Sequence, residues 1–349
     1  MTTESLELGR EYPPEGEELL IEQILAISKF SMEHRPHPPT PRDQHPKSHG
    51  YVKGELIVEE NISDDLKVGV FAKPKTYPIW IRFSNGGSDR DQTGNFVPDT
   101  VGDVRGMAIK LTDVEGDMAI ADTSHQGEQD FVLMSSPTFF IRDVQGYIDF
   151  FPVMKAIKEG KITFNPNHVP EDLQAKFRAI AYAFPLVKKI KAKPTSSPLE
   201  IPYWSATPYK MGDLAMKFSA VPQTSGESFN PESATDKSNY LREAMTKHLA
   251  SKDAYFDFKI QLQTDAEKMP IEDPTVEWDE KESPYVKVAT IRIPQQDFNT
   301  EERKQLDENQ SFSPWHSLLE HQPVGGVNRA RKIYAELAKI RNKINQGNA

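Results

Sequence analysis

The sequence predicts an α+β fold built on an antiparallel sheet or barrel. The prediction rests on consecutive strand-like segments that are joined by turns. Strand-like segments at 51–58, 78–84, 103–111 and 130–134 follow one another without a helix between them. The second segment ends at the turn signal Asn85-Gly86-Gly87. Strands that are joined by turns favour an antiparallel arrangement over a doubly wound sheet, in which strands and helices alternate.

The remaining elements follow from hydrophobic periodicity. Apolar residues recur at steps of three or four from Glu17 to about Glu33, which predicts an amphipathic helix that ends before the proline-rich run at 36–39. We expect further helices around 147–154, over 171–191 with a break at Pro185, over 240–250 and from Asn328 to about Ile344, and further strands at 214–220, 255–262 and 286–293.

Composition narrows the functional classes. The chain has 349 residues, 37% of them hydrophobic, and a mean hydropathy of −0.61, which is typical of a soluble protein with one large or two ordinary domains. Its net charge of −10 and pI near 5.5 argue against a nucleic-acid binder, because phosphate neutralisation needs a basic face. No apolar run is long enough to span a bilayer, and the acidic start of the chain is unlike a secretory signal. A cytoplasmic location without stable membrane insertion is therefore expected.

The lack of cysteine removes several kinds of chemistry. No cysteine occurs in the sequence, which excludes disulfides, thiol nucleophiles, iron–sulfur ligation and covalent haem attachment through cysteine. Any metal must therefore be held by His, Asp, Glu or Tyr.

A proline-rich loop at 39–51 carries two histidines, His45 and His49. Each proline removes an amide donor and restrains the residue before it, so the segment is a stiff loop that leads into the first strand. From the residues alone, the two histidines are either functional groups or partly exposed surface residues. A mononuclear metal site that uses both is disfavoured, because their four-residue spacing suits a helix whereas Pro46 and Gly50 argue against one.

The predicted C-terminal helix places Tyr334 and Arg341 on one face. They are seven residues apart, which corresponds to two helical turns. Taken alone, this pair is ordinary core packing with an arginine whose charged end reaches solvent.

Several segments, in order along the chain, resemble haem catalases and their smaller catalase-like relatives. The resemblance implies a single domain over 1–349, in which a helical arm (1–34) precedes a barrel with inserted helices (45–300) and a proximal helix region (310–349). The matching segments are Arg42-Asp43-Gln44-His45-Pro46-Lys47, Val68-Gly69-Val70-Phe71-Ala72-Lys73-Pro74, Ile81-Arg82-Phe83-Ser84, Asp103-Val104-Arg105-Gly106-Met107-Ala108-Ile109-Lys110 and Pro137-Thr138-Phe139-Phe140-Ile141-Arg142-Asp143.

The resemblance implies a catalytic pair and a metal ligand. His45 matches the distal histidine that transfers a proton between the two oxygens of a peroxide, and Ser84 matches the serine that hydrogen-bonds the other imidazole nitrogen. Tyr334 matches the tyrosine that binds the iron of haem b from the opposite side.

The resemblance also implies residues that surround the haem. Arg42, Arg82 and Arg341 match arginines at the haem propionates, where a guanidinium suits a carboxylate. Phe139 and Tyr147 match aromatic residues that wall the haem pocket, although packing alone also explains them. His49 resembles a histidine of the small relatives and has no assigned role.

One departure from the family pattern concerns the proximal side. Ala330 stands where catalases place an arginine, four residues before the ligating tyrosine. On a continuous helix Arg331 lies about 60° from Tyr334, whereas Arg329 lies about 140° away. Arg331 is therefore the expected substitute.

A second departure concerns the substrate. Met134 and Ser135 stand where catalases have a distal asparagine that orients hydrogen peroxide. We therefore expect a haem-dependent peroxidase, or an enzyme that converts fatty-acid (lipid) hydroperoxides, which works with an electron donor and forms a homo-oligomer. The alternatives are a weak catalase that acts on hydrogen peroxide and a non-enzymatic haem-binding protein.

Overall fold

The structure is a computed structural model that describes residues 5–34, 40–42, 44–87, 95–121, 123–192, 195–223 and 228–346. Within the proline-rich loop, Pro39 and Asp43 lie outside the described residues, as does the proline-rich run at 36–39 that follows the first predicted helix.

Within these described ranges, nine antiparallel strands form one sheet, which closes because β5 pairs with both β4 and β7. The ring runs β5-β4-β3-β2-β1-β9-β8-β7, and β6 pairs along β7. An antiparallel barrel with surrounding helices is thus confirmed. The strands are β1 (Ser48–Val58), β2 (Thr76–Asn85), β3 (Arg105–Leu111), β4 (Gln129–Met134), β5 (Tyr203–Trp204), β6 (Tyr209–Met211), β7 (Leu214–Pro222), β8 (Ala254–Leu262) and β9 (Val286–Ile293).

The interior of the barrel is a packed aromatic core. The ring of Phe131 lies 5.1 Å from that of Phe218 and 4.9 Å from that of Phe258, and Phe71 lies 5.7 Å from Phe258. All four side chains are buried. Because side chains fill this space, as in small barrels generally, a cofactor would have to bind on the outer side of the strands.

Eight α-helices lie in the described part of the chain. The helices are α1 (Glu17–Glu33), α2 (Val144–Lys158), α3 (Glu171–Ala179), α4 (Ala183–Lys191), α5 (Tyr240–Leu249), α6 (Glu301–Asn309), α7 (Gly326–Ala330) and α8 (Ile333–Asn345). Helices α1, α2 and α8 pack around a second apolar core that includes Ile24, Val153 and Leu337. No helix of the described ranges is long and apolar enough to cross a membrane.

Two predicted helices are broken at places the sequence did not indicate. The break in 171–191 falls between Ala179 and Ala183 rather than at Pro185, which lies in the first turn of α4, where the missing proline amide leaves no bond unmade. The expected continuous helix from Asn328 is likewise wrong, because α7 ends at Ala330 and α8 begins at Ile333.

The N-terminal arm is tied to α7 by an arginine that carries three ion pairs. Arg329 Nε lies 2.5 Å from Glu17 Oε2, and its Nη atoms lie 2.7 Å from Glu272 Oε2 and 2.5 Å from Glu11 Oε1. These contacts hold α1 against the C-terminal helices. Arg329 therefore binds the N-terminal arm and does not serve as the arginine beside Tyr334.

Candidate active site

His45 is fixed by both its backbone and its ring. Its φ of 54° lies in the left-handed region, where few non-glycine residues occur. Its amide donates to the carbonyl of Gly86 at 3.3 Å, and its carbonyl accepts from Arg82 Nη1 at 2.8 Å. The ring Nδ1 lies 3.0 Å from Ser84 Oγ, which is the contact that the resemblance implied. These contacts leave His45 Nε2 as the ring nitrogen that is available for proton transfer.

Gly106 allows the close approach of the imidazole to the sheet. A Cβ atom at this position would lie 2.4 Å from His45 Nδ1 and 3.0 Å from Ser84 Oγ. Residue 106 pairs with Ser84 across β2 and β3. Any larger residue at 106 would therefore displace the ring or its hydrogen bond.

The surroundings of His45 keep its imidazole neutral. Burial and the positive charges of Arg82 and Arg331 lower the pKa of His45 to about 3. Near neutral pH the ring therefore carries no charge. A neutral imidazole held by one nitrogen can accept a proton at the other, as a general base requires.

The C-terminal end of α6 gathers three arginines. Arg42 Nη2 donates to the carbonyls of Asp307 and Gln310, both at 2.5 Å, and Arg341 Nη2 donates to the carbonyl of Glu308 at 2.6 Å. Arg82 Nε lies 2.6 Å from Asp307 Oδ1. The unpaired carbonyls at a helix C-terminus carry partial negative charge, which explains why cations collect there.

This arginine cluster still favours an added anion. Burial, together with repulsion from Arg82 and Arg341, lowers the pKa of Arg42 to about 9. The buried Nε atoms of Arg42 and Arg341 have no hydrogen-bond partner in the described chain. Carboxylates placed beside these guanidinium groups would relieve the repulsion and satisfy the donors.

Arg331 lies in the break between α7 and α8, next to Tyr334. Its Nη1 donates to Thr207 Oγ1 at 3.1 Å and to Asn328 Oδ1 at 3.0 Å, and its guanidinium carbon lies 4.9 Å from the centre of the Phe139 ring. Burial disfavours the charge of Arg331, but the phenol groups of Tyr334 and two neighbouring tyrosines raise its pKa nonetheless. The cation therefore faces Tyr334 although the helix is not continuous.

Six of the predicted site residues line one cavity. The space between these residues, counted together with the part that opens to solvent, is about 890 Å³. Arg331 and Tyr147 line a smaller neighbouring cavity that also touches Tyr334, and Phe139 lines neither, because it packs under Arg331. The six residues are Arg42, His45, Arg82, Ser84, Tyr334 and Arg341.

Sequence reasoning missed residues that complete the cavity. The helix α6 supplies Asp307, which binds the lining residue Arg82, and apolar walls come from several other elements. Thr300 caps α6, because its side chain accepts a hydrogen bond from the amide of Arg303. A threonine followed by two glutamates is a sequence signal of a helix start, so the start of α6 could have been found from the sequence. The apolar wall residues are Met32, Val132, Leu133, Phe312 and Leu337.

His49 belongs to a buried polar network and not to the cavity. Its Nε2 lies 2.6 Å from Asn85 Oδ1, and its Nδ1 lies 3.8 Å from Asp99 Oδ2. Lys47 Nζ, 2.6 Å from Asp99 Oδ1, and the guanidinium of Arg105 complete the network. His45 and His49 thus have separate partners. The predicted end of the loop at residue 51 is wrong, because β1 begins at Ser48, and His49 therefore links the start of β1 to β2 and β3.

A family model described as catalase matches residues 3–318. Among curated proteins, the chain is 28% identical over 166 residues to a catalase of Pseudomonas aeruginosa, which covers 45% of this chain and 28% of the relative. It is 30% identical over 135 residues to a catalase of Pseudomonas syringae pv. syringae, covering 39% of this chain and 22% of the relative. The matches thus span less than a third of these relatives' length.

Solved catalases have a similar fold. A bacterial catalase superposes with a TM-score of 0.62 at 22% identity, over 98% of this chain and 64% of that one. Catalase A from Saccharomyces cerevisiae superposes with a TM-score of 0.59 at 18% identity, over 100% of this chain and 70% of that one. Tyr334 and Arg341 lie beyond the residues that the family model matches.

Proposed function

Because this chain belongs to the catalase family, we propose that it is a haem-dependent enzyme that converts peroxides and prefers organic hydroperoxides to hydrogen peroxide. The observation that carries the proposal is the single cavity lined by Arg42, His45, Arg82, Ser84, Tyr334 and Arg341. These residues come from the proline-rich loop, β2 and α8, and they bring a neutral histidine, a tyrosine and an arginine cluster to the same space.

The residues present fit haem b. Unpaired guanidinium nitrogens of Arg42 and Arg341 suit the two propionates, with Arg82 beside them. Apolar side chains suit the porphyrin faces, and the Tyr334 phenolate suits ferric iron, with Arg331 near it. When bound, the haem supplies the redox chemistry that divides the peroxide bond.

The side chains of the loop and β2 would handle the proton. Ser84 holds His45 Nδ1, so that Nε2 takes the proton from the substrate hydroperoxide group. The same nitrogen then returns the proton to the departing oxygen, which leaves as an alcohol or as water. The depressed pKa of His45 makes it a weak base that readily gives the proton back.

The choice of an organic substrate rests on the cavity wall. Ser135 Oγ accepts from the amide of Arg105 at 2.9 Å, and neither Ser135 nor Met134 lines the cavity. The one amide side chain among the lining residues, Gln44, comes from the loop beside His45. The apolar walls at Leu133 and Phe312 suit a hydrocarbon chain better than a small polar peroxide. An electron donor and assembly into a homo-oligomer are part of the same proposal.

A parallel kinetic comparison tests this substrate class. The haem-loaded protein is mixed with hydrogen peroxide or with a fatty-acid hydroperoxide, and kcat/KM is measured for each. We expect the larger value for the fatty-acid hydroperoxide. Rapid oxygen evolution from hydrogen peroxide would instead show that the protein is an efficient catalase, and it would overturn the proposal. Peroxide consumption no faster than that by free haem would favour a non-enzymatic haem-binding protein.

A further inference from the structure

A second cluster of metal-ligating side chains lies outside the cavity. His125, Glu128 and His316 place one potential ligand atom each within 4.8 Å of one another. In the described ranges this is the one group of three or more His, Asp or Glu residues that could share an ion. Nothing in the proposed peroxide chemistry uses these three side chains.

His316 is prepared for coordination by its neighbours. Its Nδ1 lies 2.9 Å from Asp130 Oδ2, and its side chain is 1% exposed. A carboxylate that accepts the Nδ1 proton leaves Nε2 as the unprotonated nitrogen, which is the usual arrangement for a metal-bound histidine. The Nε2 atom is buried and has no hydrogen-bond partner in the described chain. An isolated buried acceptor of this kind requires an explanation, which a bound cation supplies.

The backbone around His316 is equally fixed. The Asp130 amide donates to the His316 carbonyl at 2.7 Å, and the Ser313 amide donates to Asp130 Oδ2 at 3.0 Å. The start of β4 therefore holds the 313–316 turn in place from two sides. This gives the site one rigid ligand.

The other two ligands lie at the surface, where an ion can enter. The side chains of His125 and Glu128 are 22% and 24% exposed, and His125 Nδ1 lies 2.8 Å from Glu128 Oε2. The rings of His125 and His316 stack, with centroids 3.6 Å apart and planes 19° apart. The nitrogen lone pairs of two nearly parallel rings point in parallel planes and do not converge on one point. The more exposed His125 ring must therefore turn before one of its nitrogens and His316 Nε2 can bind the same ion.

We propose that His125, Glu128 and His316 form a binding site for a divalent transition-metal ion, with Zn²⁺ as the best match. Two imidazole nitrogens and one carboxylate oxygen are a usual protein ligand set for Zn²⁺, which leaves a fourth position for water. Asp130 acts behind His316 as its hydrogen-bond acceptor. None of the three ligand residues lines the large cavity, although Ser311, which does, lies 3.5 Å from His125 Nε2 through its Oγ.

Lys110 moderates the affinity of this site. Its Nζ lies 2.6 Å from Glu128 Oε2 and 2.8 Å from Asp130 Oδ1. An ammonium so close to a ligand repels a cation, so the ion should exchange readily and be removed by chelators.

Zinc binding to the haem-loaded protein tests the proposal. After chelator treatment, equilibrium dialysis with Zn²⁺ alone should give one exchangeable ion per chain at this site. His125→Ala and Glu128→Gln should each weaken that binding at least tenfold, because each change removes a ligand without emptying the buried core. His34→Ala, which removes an exposed histidine elsewhere on the surface, should leave it unchanged.

A spectroscopic measurement guards against nonspecific binding. The extended X-ray absorption fine structure at the zinc edge of the loaded protein should show two imidazole ligands, with one fewer in His125→Ala. If wild-type protein binds Zn²⁺ no more tightly than His125→Ala, the cluster is an ion-pair network only and the proposal is wrong. Equal weakening by His34→Ala would also overturn it.

Discussion

At the scale of single residues, the proposed proton transfer depends on how His45 is held. A left-handed backbone at a non-glycine residue costs on the order of 1–3 kcal/mol and persists only when its surroundings enforce it. Here Gly86, Arg82 and Ser84 each bond a different atom of the residue. The strained conformation aims the ring into the cavity, and this precise placement is what proton transfer needs.

Replacing His45 tests its proposed catalytic role. In His45→Asn the backbone strain is tolerated, because asparagine adopts positive φ more readily than most residues. We expect haem binding to persist while turnover of the fatty-acid hydroperoxide falls by about 10²–10⁴-fold, the usual contribution of a general acid–base group. His34→Asn is the matched control and should keep full activity. Unaltered turnover in His45→Asn would remove this residue from the mechanism.

Crowding the imidazole from the sheet should have a related effect. In Gly106→Ala the new methyl group meets His45 Nδ1 and Ser84 Oγ, so we expect a clear loss of kcat and a stability loss of about 1–3 kcal/mol. Gly50→Ala is the control, because its Cβ would crowd Met245 and Phe298 at 2.8 Å, away from the cavity. It should lose stability but not kcat. Equal kcat losses would mean that crowding acts through the fold alone.

At the scale of elements, the helix α6 is the support of the arginine cluster. Its last carbonyls bind Arg42 and Arg341, and its Asp307 binds Arg82. The sequence did not reveal this helix, because its residues are almost all polar and show no hydrophobic periodicity. A polar helix near the protein surface is stabilised by its cap, which Thr300 signals in the sequence, and by its contacts, which only the three-dimensional structure shows.

The arginine cluster predicts the haem affinity of its variants. Arg42→Gln and Arg341→Gln each remove one charged donor from the cavity, and hydrogen bonds to charged groups contribute about 1.5–3 kcal/mol. We therefore expect haem to bind roughly 10- to 100-fold more weakly in each, as measured by titration of the Soret absorbance. Arg178→Gln on the exposed side of α3 serves as the control. Unchanged haem affinity in both cavity variants would contradict the propionate assignment.

In the C-terminal region the sequence predicted the helical structure but not the break between α7 and α8. The periodicity of 328–344 indicated helix correctly, yet neither proline nor glycine marks the break at 331–332. The 60° angle expected between Arg331 and Tyr334 holds only for an unbroken helix, whereas Arg331 lies in the break between α7 and α8. Arg331 nevertheless lies near Tyr334, because Thr207 and Asn328 anchor its guanidinium. Those partners are distant in sequence or on the preceding helix, so local spacing could not identify them.

At the scale of the whole molecule, the antiparallel strands of the barrel could be predicted from the sequence. The pairing that closes the barrel could not. Alternating strands and turn residues predicted antiparallel pairing, and the first helix was predicted with its observed limits. Closure depends on two residues of β5 that bridge β4 and β7, and so short a segment has no periodicity to detect. The resemblance to catalases, confirmed by the family match, supplied the proposed roles of residues that spacing alone left ambiguous.

Three buried histidines make the stability of the fold depend on pH. Burial is the leading cause that lowers the pKa of His45 to about 3 and the pKa values of His49 and His321 to about 4. Unfolded histidine binds a proton near pH 6.5, so between pH 6.5 and 4 the unfolded chain holds more protons than the folded one. Stability should therefore fall as the pH is lowered, by roughly 1.4 kcal/mol per pH unit for each ring.

Urea unfolding at several pH values measures this dependence. The midpoint should be highest above pH 7 and should decrease steadily from pH 6.5 towards pH 4. In His321→Gln the decrease should be shallower, because glutamine keeps an acceptor for the Val70 amide but does not titrate. A midpoint that stays constant over this range would show that the three rings are not buried as neutral groups.

The absorption spectrum of the haem-reconstituted protein tests whether this cavity binds haem with Tyr334 as the iron ligand. We predict a high-spin ferric spectrum of the tyrosinate type in the wild-type protein and its loss in Tyr334→Phe. Tyr255→Phe, which changes an exposed tyrosine on β8, should keep it. A tyrosinate spectrum that persists in Tyr334→Phe, or the lack of any Soret band in the reconstituted wild-type protein, would contradict the account.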